Sequence, residues 1–200
     1  MPVDYSQIAK ENVRRYGTDI DEYGPVLLAN LYSDRTHFVY ELIQNAEDAG
    51  AKYVEFRLLA DRLEVRHNGR PFSDEDVRSI CGLAKGTKRD DLTQIGKFGI
   101  GFKSVYAYTD SPRVYSRDEA FCIRNYVHPK AAPRVSLAKD ETLFVLPFDH
   151  QDVAPDDAFK EIGTRLRNLG LRTLLFLRHI DEIRWSIHSE GKGDYIRETT

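Results

Sequence analysis

The sequence predicts an α+β domain of two layers, and three observations lead to that prediction. Apolar residues in segment 34–49 recur at helical spacing, and Gly50 ends the pattern. Segments 53–59 and 63–66 alternate polar and apolar residues, as half-buried antiparallel strands do. The helices and strands that follow lack the strict strand–helix–strand alternation of a Rossmann fold.

The first elements predicted are helical. Residues 5–32 indicate a short helix, a break at Gly24-Pro25 and a second helix. In the helix over 34–49, one apolar stripe is formed by Val39, Leu42, Ile43 and Ala46. Glu41, Asn45 and Asp48 lie on the other side of this helix, at positions i, i+4 and i+7.

The two strands are joined by a tight turn near Ala60-Asp61, and a loop over residues 67–72 follows them. Ser73 to Asp76 form a variant of the capping box, which predicts a helix ending near Gly82. Residues 84–95 have no strong period and are predicted to be a mobile loop.

A glycine-rich segment then leads into a predicted helix over residues 102–107. Strands are expected near 113–116, 120–126 and 142–147, a long helical region over 155–177 with an interruption at Gly170, and a strand over 183–188. Residues 191–200 are polar and charged, which resembles a cut through a longer protein.

The charge and composition of the chain limit the kinds of partner and the location expected for the protein. The net charge of −3 over 200 residues gives no general attraction to nucleic acid or to an anionic membrane. The N-terminus lacks the pattern of a secretory signal, and no apolar run could span a bilayer. Cys81 and Cys122 match no metal-binding spacing and are expected to be free thiols. We therefore expect a cytoplasmic protein with no membrane partner.

The glycine-rich segment Gly96-Lys-Phe-Gly-Ile-Gly101 is a candidate phosphate site. Glycines ahead of a helix expose backbone amides, and the start of a helix attracts anions. Lys97 and Lys103 could add positive charge. An ordinary glycine turn remains an alternative for this pattern alone. A P-loop is excluded because the segment does not end in Gly-Lys-Ser/Thr. Neither a P-loop nor a Rossmann motif is expected, because no parallel strand–turn–helix unit surrounds the segment.

The helix residues Glu41, Asn45 and Asp48 suggest metal and acid–base chemistry. Mg²⁺ keeps several waters and needs few protein ligands, so the single amide oxygen of Asn45 would suffice. Glu41 could then activate an attacking water as a general base. A solvated helix face is the alternative for these three residues taken alone.

The order of these motifs resembles the GHKL family of ATP-binding domains, whose fold is shared by Hsp90, DNA gyrase B, MutL and the histidine kinases. The matching elements are the Glu41-to-Asp48 helix, a hairpin, the Asn68-Gly69 loop, Gly86-Thr-Lys88, the segment from Gly96 to Ser104, and Thr142 on a later strand. Within the family, Glu41-Leu-Ile-Gln-Asn-Ala-Glu-Asp-Ala-Gly50 and His67-Asn-Gly-Arg-Pro-Phe72 look most like the Hsp90-like domains of sacsin and the plant NO VEIN proteins. The resemblance covers roughly residues 30–150.

This resemblance implies a Bergerat-type α/β sandwich with a mixed, mainly antiparallel sheet and helices on one face. It implies Glu41 as the catalytic base, Asn45 as the Mg²⁺ ligand and residues 84–95 as the ATP lid. Thr142 would fix the adenine end. The full set of implied ATP-binding residues is Asn45, Asp48, His67, Asn68, Gly69, Lys88, Gly96, Lys97, Phe98, Gly99, Ile100, Gly101, Phe102 and Thr142.

One position departs from the family. Where the family has an Asp that accepts a hydrogen bond from the adenine amino group, this sequence has His67, and Pro71 replaces a glycine. A neutral imidazole has one acceptor nitrogen and could replace the carboxylate, and Asn68 offers both a donor and an acceptor. His67 could equally end a strand without contacting a ligand. Adenine binding is thus less secure than phosphate binding.

The resemblance implies an Mg²⁺-dependent ATP-binding module of a larger protein, with slow hydrolysis to ADP and phosphate coupled to lid closure and dimerisation. Weak or absent turnover is expected of these 200 residues alone. The alternatives are a nucleotide-sensing or chaperone-like scaffold without useful turnover, and an interaction domain that has lost ATP binding. We divide the chain into an N-terminal helical extension (1–33), a core (34–150) and a C-terminal region (151–200) leading into further domains.

Overall fold

Eight strands form one open, mixed sheet in the computed structural model, which describes residues 2–17, 34–83, 100–170 and 172–197. The predicted helix after Gly24-Pro25 and the predicted loop over 84–95 lie outside these ranges. The strands are β1 (Tyr53–Leu58), β2 (Arg62–His67), β3 (Arg113–Ser116), β4 (Glu119–Arg124), β5 (His128–Ala131), β6 (Thr142–Pro147), β7 (Glu182–Ile187) and β8 (Gly191–Ile196).

Six α-helices accompany the sheet in the described part of the chain. They are α1 (Tyr5–Tyr16), α2 (Phe38–Asp48), α3 (Asp74–Ile80), α4 (Ile100–Lys103), α5 (Pro155–Arg167) and α6 (Arg172–Leu175). Two 3₁₀ turns, Arg35–His37 and Ser104–Ala107, precede α2 and follow α4. The long helical region predicted over 155–177 is interrupted between α5 and α6, where Gly170 has a φ of 75° that favours glycine. None of the helices described is long and apolar enough to cross a membrane.

The strands are ordered β5-β4-β3-β6-β2-β1-β7-β8. All the pairings between them are antiparallel except that of β1 with β7, which run parallel. The first hairpin, β1–β2, is the one that the sequence predicts, and it stands near the middle of the sheet. The expected α+β fold with a mixed, mainly antiparallel sheet is therefore confirmed.

The main core lies between the sheet and its helices. Val54, Phe56 and Leu58 of β1 point to this side and are buried, as the alternating pattern requires. They join one apolar cluster with the predicted stripe of α2, formed by Val39, Leu42, Ile43 and Ala46. The opposite face of the sheet carries a smaller buried cluster of Tyr115, Ala120, Leu143 and Val145.

Two strands were not predicted from the sequence. β5 is short and contains Pro129, and β8 has two glycines and two charged residues, so neither shows an alternating apolar pattern. β8 forms because its backbone pairs with β7. Gly193 is required there, because a Cβ at this position would lie 2.5 Å from Cζ2 of Trp185.

The N-terminal helix α1 is bonded to the rest of the structure by buried polar contacts. Its Asn12 side chain donates to the carbonyls of Cys81 (3.0 Å) and Val127 (2.7 Å). The Tyr5 hydroxyl donates to Glu119 at 2.5 Å. At the other end of the chain, β7 continues the sheet next to β1. The boundaries at residues 33 and 150 stay predictions.

Candidate functional site

Helix α2 carries three of the predicted site residues. Asp34 starts this region, since its Oδ1 accepts hydrogen bonds from the amide and hydroxyl of Thr36 at 2.9 and 2.7 Å. One helical face then presents Glu41, which is partly buried, Asn45, which is buried, and Asp48, which is exposed. Asp48 Oδ1 accepts a hydrogen bond from Gln44 Nε2 at 2.9 Å.

Gly101, at the start of α4, lies directly against the Glu41 carboxylate. A Cβ at Gly101 would sit 2.6 Å from Glu41 Cδ, closer than side-chain carbons approach in proteins. Only glycine lets the backbone come this near to the carboxylate. The described end of the glycine-rich segment, at Gly101, therefore lies against the helix that carries Glu41.

The Glu41 carboxylate has a second neighbour, His37, which lies one helical turn earlier in the chain. His37 Nε2 lies 3.1 Å from Glu41 Oε1, one turn away. The Oε1 oxygen therefore faces the imidazole, and the Oε2 oxygen faces Gly101. Opposite neighbours of this kind hold a carboxylate in one orientation.

Asn45 has the features of a ligand-binding amide. Its side chain is buried, and Nδ2 has no hydrogen-bond partner within the described residues. A buried amide without a partner is rare, because it costs about 1–3 kcal/mol. No cluster of three or more His, Cys, Asp or Glu in the described ranges could hold a metal by itself. The unpaired Nδ2 is a donor and would suit a phosphate or water oxygen, whereas only Oδ1 of Asn45 could ligate Mg²⁺.

His67 is buried at the end of β2, with 1% of its surface exposed. Its Nδ1 accepts a hydrogen bond from the Gly69 amide at 3.1 Å. Its Nε2 is buried without a partner among the described atoms. Burial lowers the pKa of His67 to about 4, so the ring is neutral at physiological pH.

The Asn68 side chain hydrogen-bonds to the backbone at the start of β1. Its Oδ1 accepts hydrogen bonds from the amides of Lys52 (2.9 Å) and Tyr53 (3.2 Å), which fixes the start of β1 against the loop. Gly69 is also required by packing, since a Cβ there would lie 2.7 Å from Ala49 Cβ. Because Asn68 Oδ1 accepts from two backbone amides, it serves the fold of this loop and is not free to contact a base.

Thr142 lies opposite His67, in register on β6. It is fully buried, and its hydroxyl is 2.7 Å from that of Ser116 on β3. The Ser116 oxygen also accepts from the Phe72 amide at 3.0 Å. Ser116 is not predicted from the sequence, because it reaches Thr142 only through the pairing of β3 with the distant strand β6.

A cavity of about 740 Å³ opens between α2, α3 and the segment 176–179, and of the described residues predicted for the site only Asp48 lines it. Gln44 and Asp48 line it from α2, and Asp76 and Ser79 from α3. The predicted capping box orders this side of the cavity, since the Asp76 carboxylate accepts from the Ser73 amide at 2.8 Å. Asp48 thus faces open space large enough for a small-molecule ligand.

Part of the predicted site cannot be placed. Lys88, Gly96, Lys97, Phe98 and Gly99, together with the predicted lid, lie outside the described residues. Ile100 is described as the first residue of α4. The Phe102 side chain is buried in the core with its ring centroid 5.8 Å from that of Phe144, so only its backbone could contact a phosphate.

Lys103 does not add charge to a phosphate site, contrary to the expectation from the sequence. Its ammonium is buried and donates to the carbonyls of Ile80 (2.6 Å) and Tyr126. Burial lowers the pKa of Lys103 to about 8. The side chain points into the core because α3 and the β4–β5 turn close over it. Cys81 and Cys122 are free thiols, as expected.

Parts of this chain are similar to known proteins. Residues 61–134 match the family model of the Sacsin domain. The chain is 34% identical to human Sacsin over 134 residues and 39% identical to Protein NO VEIN of Arabidopsis thaliana over 97 residues. It is also 27% identical over 143 residues to the chaperone protein HtpG of Aliivibrio fischeri.

These matches support a sacsin-like domain of the Hsp90/GHKL type in this chain. The three matches cover 58%, 45% and 56% of this chain. In return, the matched parts span only 3% of Sacsin, 4% of NO VEIN and 23% of HtpG. The sacsin-like domain is thus similar to a small part of each of these proteins.

Proposed function

We propose that this sacsin-like domain is an Mg²⁺-dependent nucleoside triphosphate-binding module, for which the family resemblance implies ATP. The observation that carries the proposal is the contact between Gly101 and the Glu41 carboxylate. It brings the end of the glycine segment to the helix that carries Asn45, as a triphosphate bound between them requires. The unpaired Nδ2 donor of Asn45 supports a phosphate or water oxygen at the same place.

In the proposed site, some groups would bind the triphosphate and others would act on the attacking water. Backbone amides at the start of α4 attract phosphate oxygens. The Asn45 side chain would hold Mg²⁺, which neutralises triphosphate charge when bound. The Glu41 carboxylate would orient a water and take its proton at Oε2, while His37 holds Oε1. In this role His37 is a positioning residue.

We expect hydrolysis by the described chain to be slow or absent. The family resemblance implies that ATP turnover is coupled to lid closure and dimerisation. Two alternatives remain: a scaffold that binds nucleotide without useful turnover, and an interaction domain that has lost nucleotide binding. The unusual His67 and the structural use of Asn68 are the observations that favour the last alternative.

Isothermal titration calorimetry with ATP, ADP and a non-hydrolysable ATP analogue tests the proposal directly. We expect binding of ATP that weakens when Mg²⁺ is chelated. Absence of any nucleotide binding, in a chain shown to be folded by circular dichroism, would leave only the interaction domain.

Glu41→Ala separates hydrolysis from binding alone. If Glu41 acts as the base, the variant should still bind ATP, and any turnover that the wild type shows should fall by about 100-fold or more. Exposed Glu190, in the turn between β7 and β8, supplies the control, Glu190→Ala, which should change neither quantity. Equal retention of ATP by the wild type and Glu41→Ala would support the scaffold.

A further inference from the structure

Strand β8 is an open edge of the sheet. It pairs with β7 on one side, and no described strand pairs with its other side. Such an edge presents unpaired backbone N–H and C=O groups to any strand that can approach it. The opposite edge strand, β5, contains Pro129, which lacks the N–H donor that a further strand would need. β8, with the sequence Gly-Lys-Gly-Asp-Tyr-Ile over residues 191–196, contains no proline, so it can pair along its length.

The two charged side chains of β8 point away from the main core. Tyr195 pairs with Ile183, which is buried in that core. Because side chains alternate along a strand, Lys192 and Asp194 lie on the outer face. Both are exposed, and neither side chain has a hydrogen bond or an ion pair with another described residue. Arg184, opposite Asp194 on β7, donates to a different carboxylate. The two charges are therefore free to pair with charges outside the molecule.

The spacing of these charges selects one way in which two copies of β8 could pair. With Gly193 on a two-fold axis, an antiparallel pair places Lys192 of each copy directly opposite Asp194 of the other. Centring the pair on Lys192 or on Asp194 would instead place that residue opposite itself, which is unfavourable. Centring it between two residues would join the inner face of one sheet to the outer face of the other. Gly193 carries no side chain, so nothing obstructs approach at the axis.

We propose that β8 joins two copies of this chain by antiparallel pairing about Gly193, so that their sheets become continuous. Charged residues on an edge strand usually discourage pairing. Here the order of Lys192 and Asp194 is complementary to itself when reversed, so a second copy brings the opposite charge to each position. The surface contains none of the residues predicted for nucleotide binding. The inference therefore goes beyond the proposed function and does not depend on it.

Sedimentation velocity of the full chain at increasing protein concentration tests the proposal. We expect a monomer–dimer equilibrium that weakens as salt is added, because exposed ion pairs are screened. Lys192→Asp makes both cross-strand pairs repulsive and should weaken the dimer by about 10-fold or more. Lys160→Asp, which makes the same change on the exposed surface of α5, should leave the dissociation constant unchanged.

A mixture of two variants separates this pairing from a general effect of charge. Asp194→Lys alone should also weaken the dimer. Mixed in equal amounts with Lys192→Asp, it should restore association, because every Asp then faces a Lys of the other copy. Circular dichroism checks that each variant is folded. If Asp194→Lys is not folded, the comparison of Lys192→Asp with Lys160→Asp decides.

Three results would overturn the inference and leave the proposed function standing. The first is a wild-type chain that stays monomeric up to about 1 mM. The second is a dimer that Lys192→Asp leaves intact, or folded variants that do not associate when mixed. The third comes from hydrogen exchange: amides of β8 that are equally protected at all protein concentrations would show that another part of the same chain covers this edge.

Discussion

Gly101, at the start of α4, lies directly against the Glu41 carboxylate. Its glycine identity is predicted to serve a phosphate-binding turn, and the structure adds a separate reason, since the Glu41 carboxylate occupies the space of a side chain. A glycine required by close approach is more sensitive to substitution than one in an open turn.

Gly101→Ala should weaken nucleotide binding, because the Glu41 carboxylate must swing away to admit the Cβ, and it should change the free energy of unfolding little, since only that flexible side chain has to move. Calorimetry with ATP and urea unfolding would measure the two effects. Gly163→Ala is the matched control: a Cβ in this α5 position would meet Leu58 Cδ2 at 3.4 Å, an ordinary contact. It should leave binding unchanged, and equal binding by both variants would contradict the proposed site.

At the scale of elements, Glu47 joins α2 to the start of β7. Its buried carboxylate accepts hydrogen bonds from the amides of Arg178, His179 and Ile180 at 2.6, 2.9 and 3.0 Å. Burial alone raises the pKa of Glu47, but the hydrogen bonds from Ile180, Arg178 and His179 outweigh it and lower the pKa. The contact fixes the helix of the proposed site to the parallel strand beside β1.

Glu47→Gln should destabilise the domain by about 1–3 kcal/mol at neutral pH, because buried amides lose a charged acceptor. Since the folded pKa is below the ordinary 4.5, the stabilisation by Glu47 is present above pH 4.5 and is lost as the pH falls through the folded value. Urea unfolding at several pH values should show a shallower acid decline in Glu47→Gln. A decline as steep as that of the wild type would contradict this assignment, and Glu75→Gln, on exposed α3 surface, provides the control.

Lys103 links three elements: its ammonium lies between the end of α3, the β4–β5 turn and its own helix α4. The folded pKa of about 8 is below the ordinary 10.5, so the unfolded chain binds this proton more tightly between those values. The contribution of Lys103 to stability should thus increase as the pH rises from about 8 toward 10.

Lys103→Met keeps much of the apolar stem and removes the titrating group. We expect the wild type to gain stability between about pH 8 and 10 relative to this variant, as measured by thermal unfolding. Lys160→Met, on exposed surface of α5, should follow the wild-type pH profile. Parallel profiles for wild type and Lys103→Met would contradict the role of Lys103.

At the scale of the whole molecule, the sheet crosses the boundary that the sequence suggested at residue 150. β1 pairs with β7 along its full length, and Ile183 and Ile187 of β7 are buried in the main core. Ala158 and Ile162 of α5 join the same cluster. Removing this region would expose β1 both as an unpaired edge and as an apolar face.

A chain ending at residue 150 should accordingly aggregate or unfold without a cooperative transition, whereas one ending at residue 197 should behave as the full chain does. Circular dichroism on heating and size-exclusion chromatography would compare the three. A monomeric 1–150 chain that unfolds cooperatively and binds nucleotide would instead support an independent core.

The sequence by itself determined the parts of this protein that depend on local pattern. Helix α2, hairpin β1–β2 and the capping box at Ser73 follow from periodicity and from residues within a few positions of one another. The fold class followed from the order of such elements. The candidate residues on α2 were found for the same reason, because helical spacing alone brings them to one face.

The tertiary structure alone decided features whose partners are distant in the chain. β8 exists through its pairing with β7, Ser116 reaches Thr142 across β3 and β6, and Lys103 is turned away from the proposed phosphate site by α3. His67 shows both contributions: Gly69, two residues away, fixes the position of its proton, but burial beneath distant strands keeps the ring neutral. Hydrogen-bond partners and solvent exclusion are properties of the packed chain, so local sequence cannot specify them.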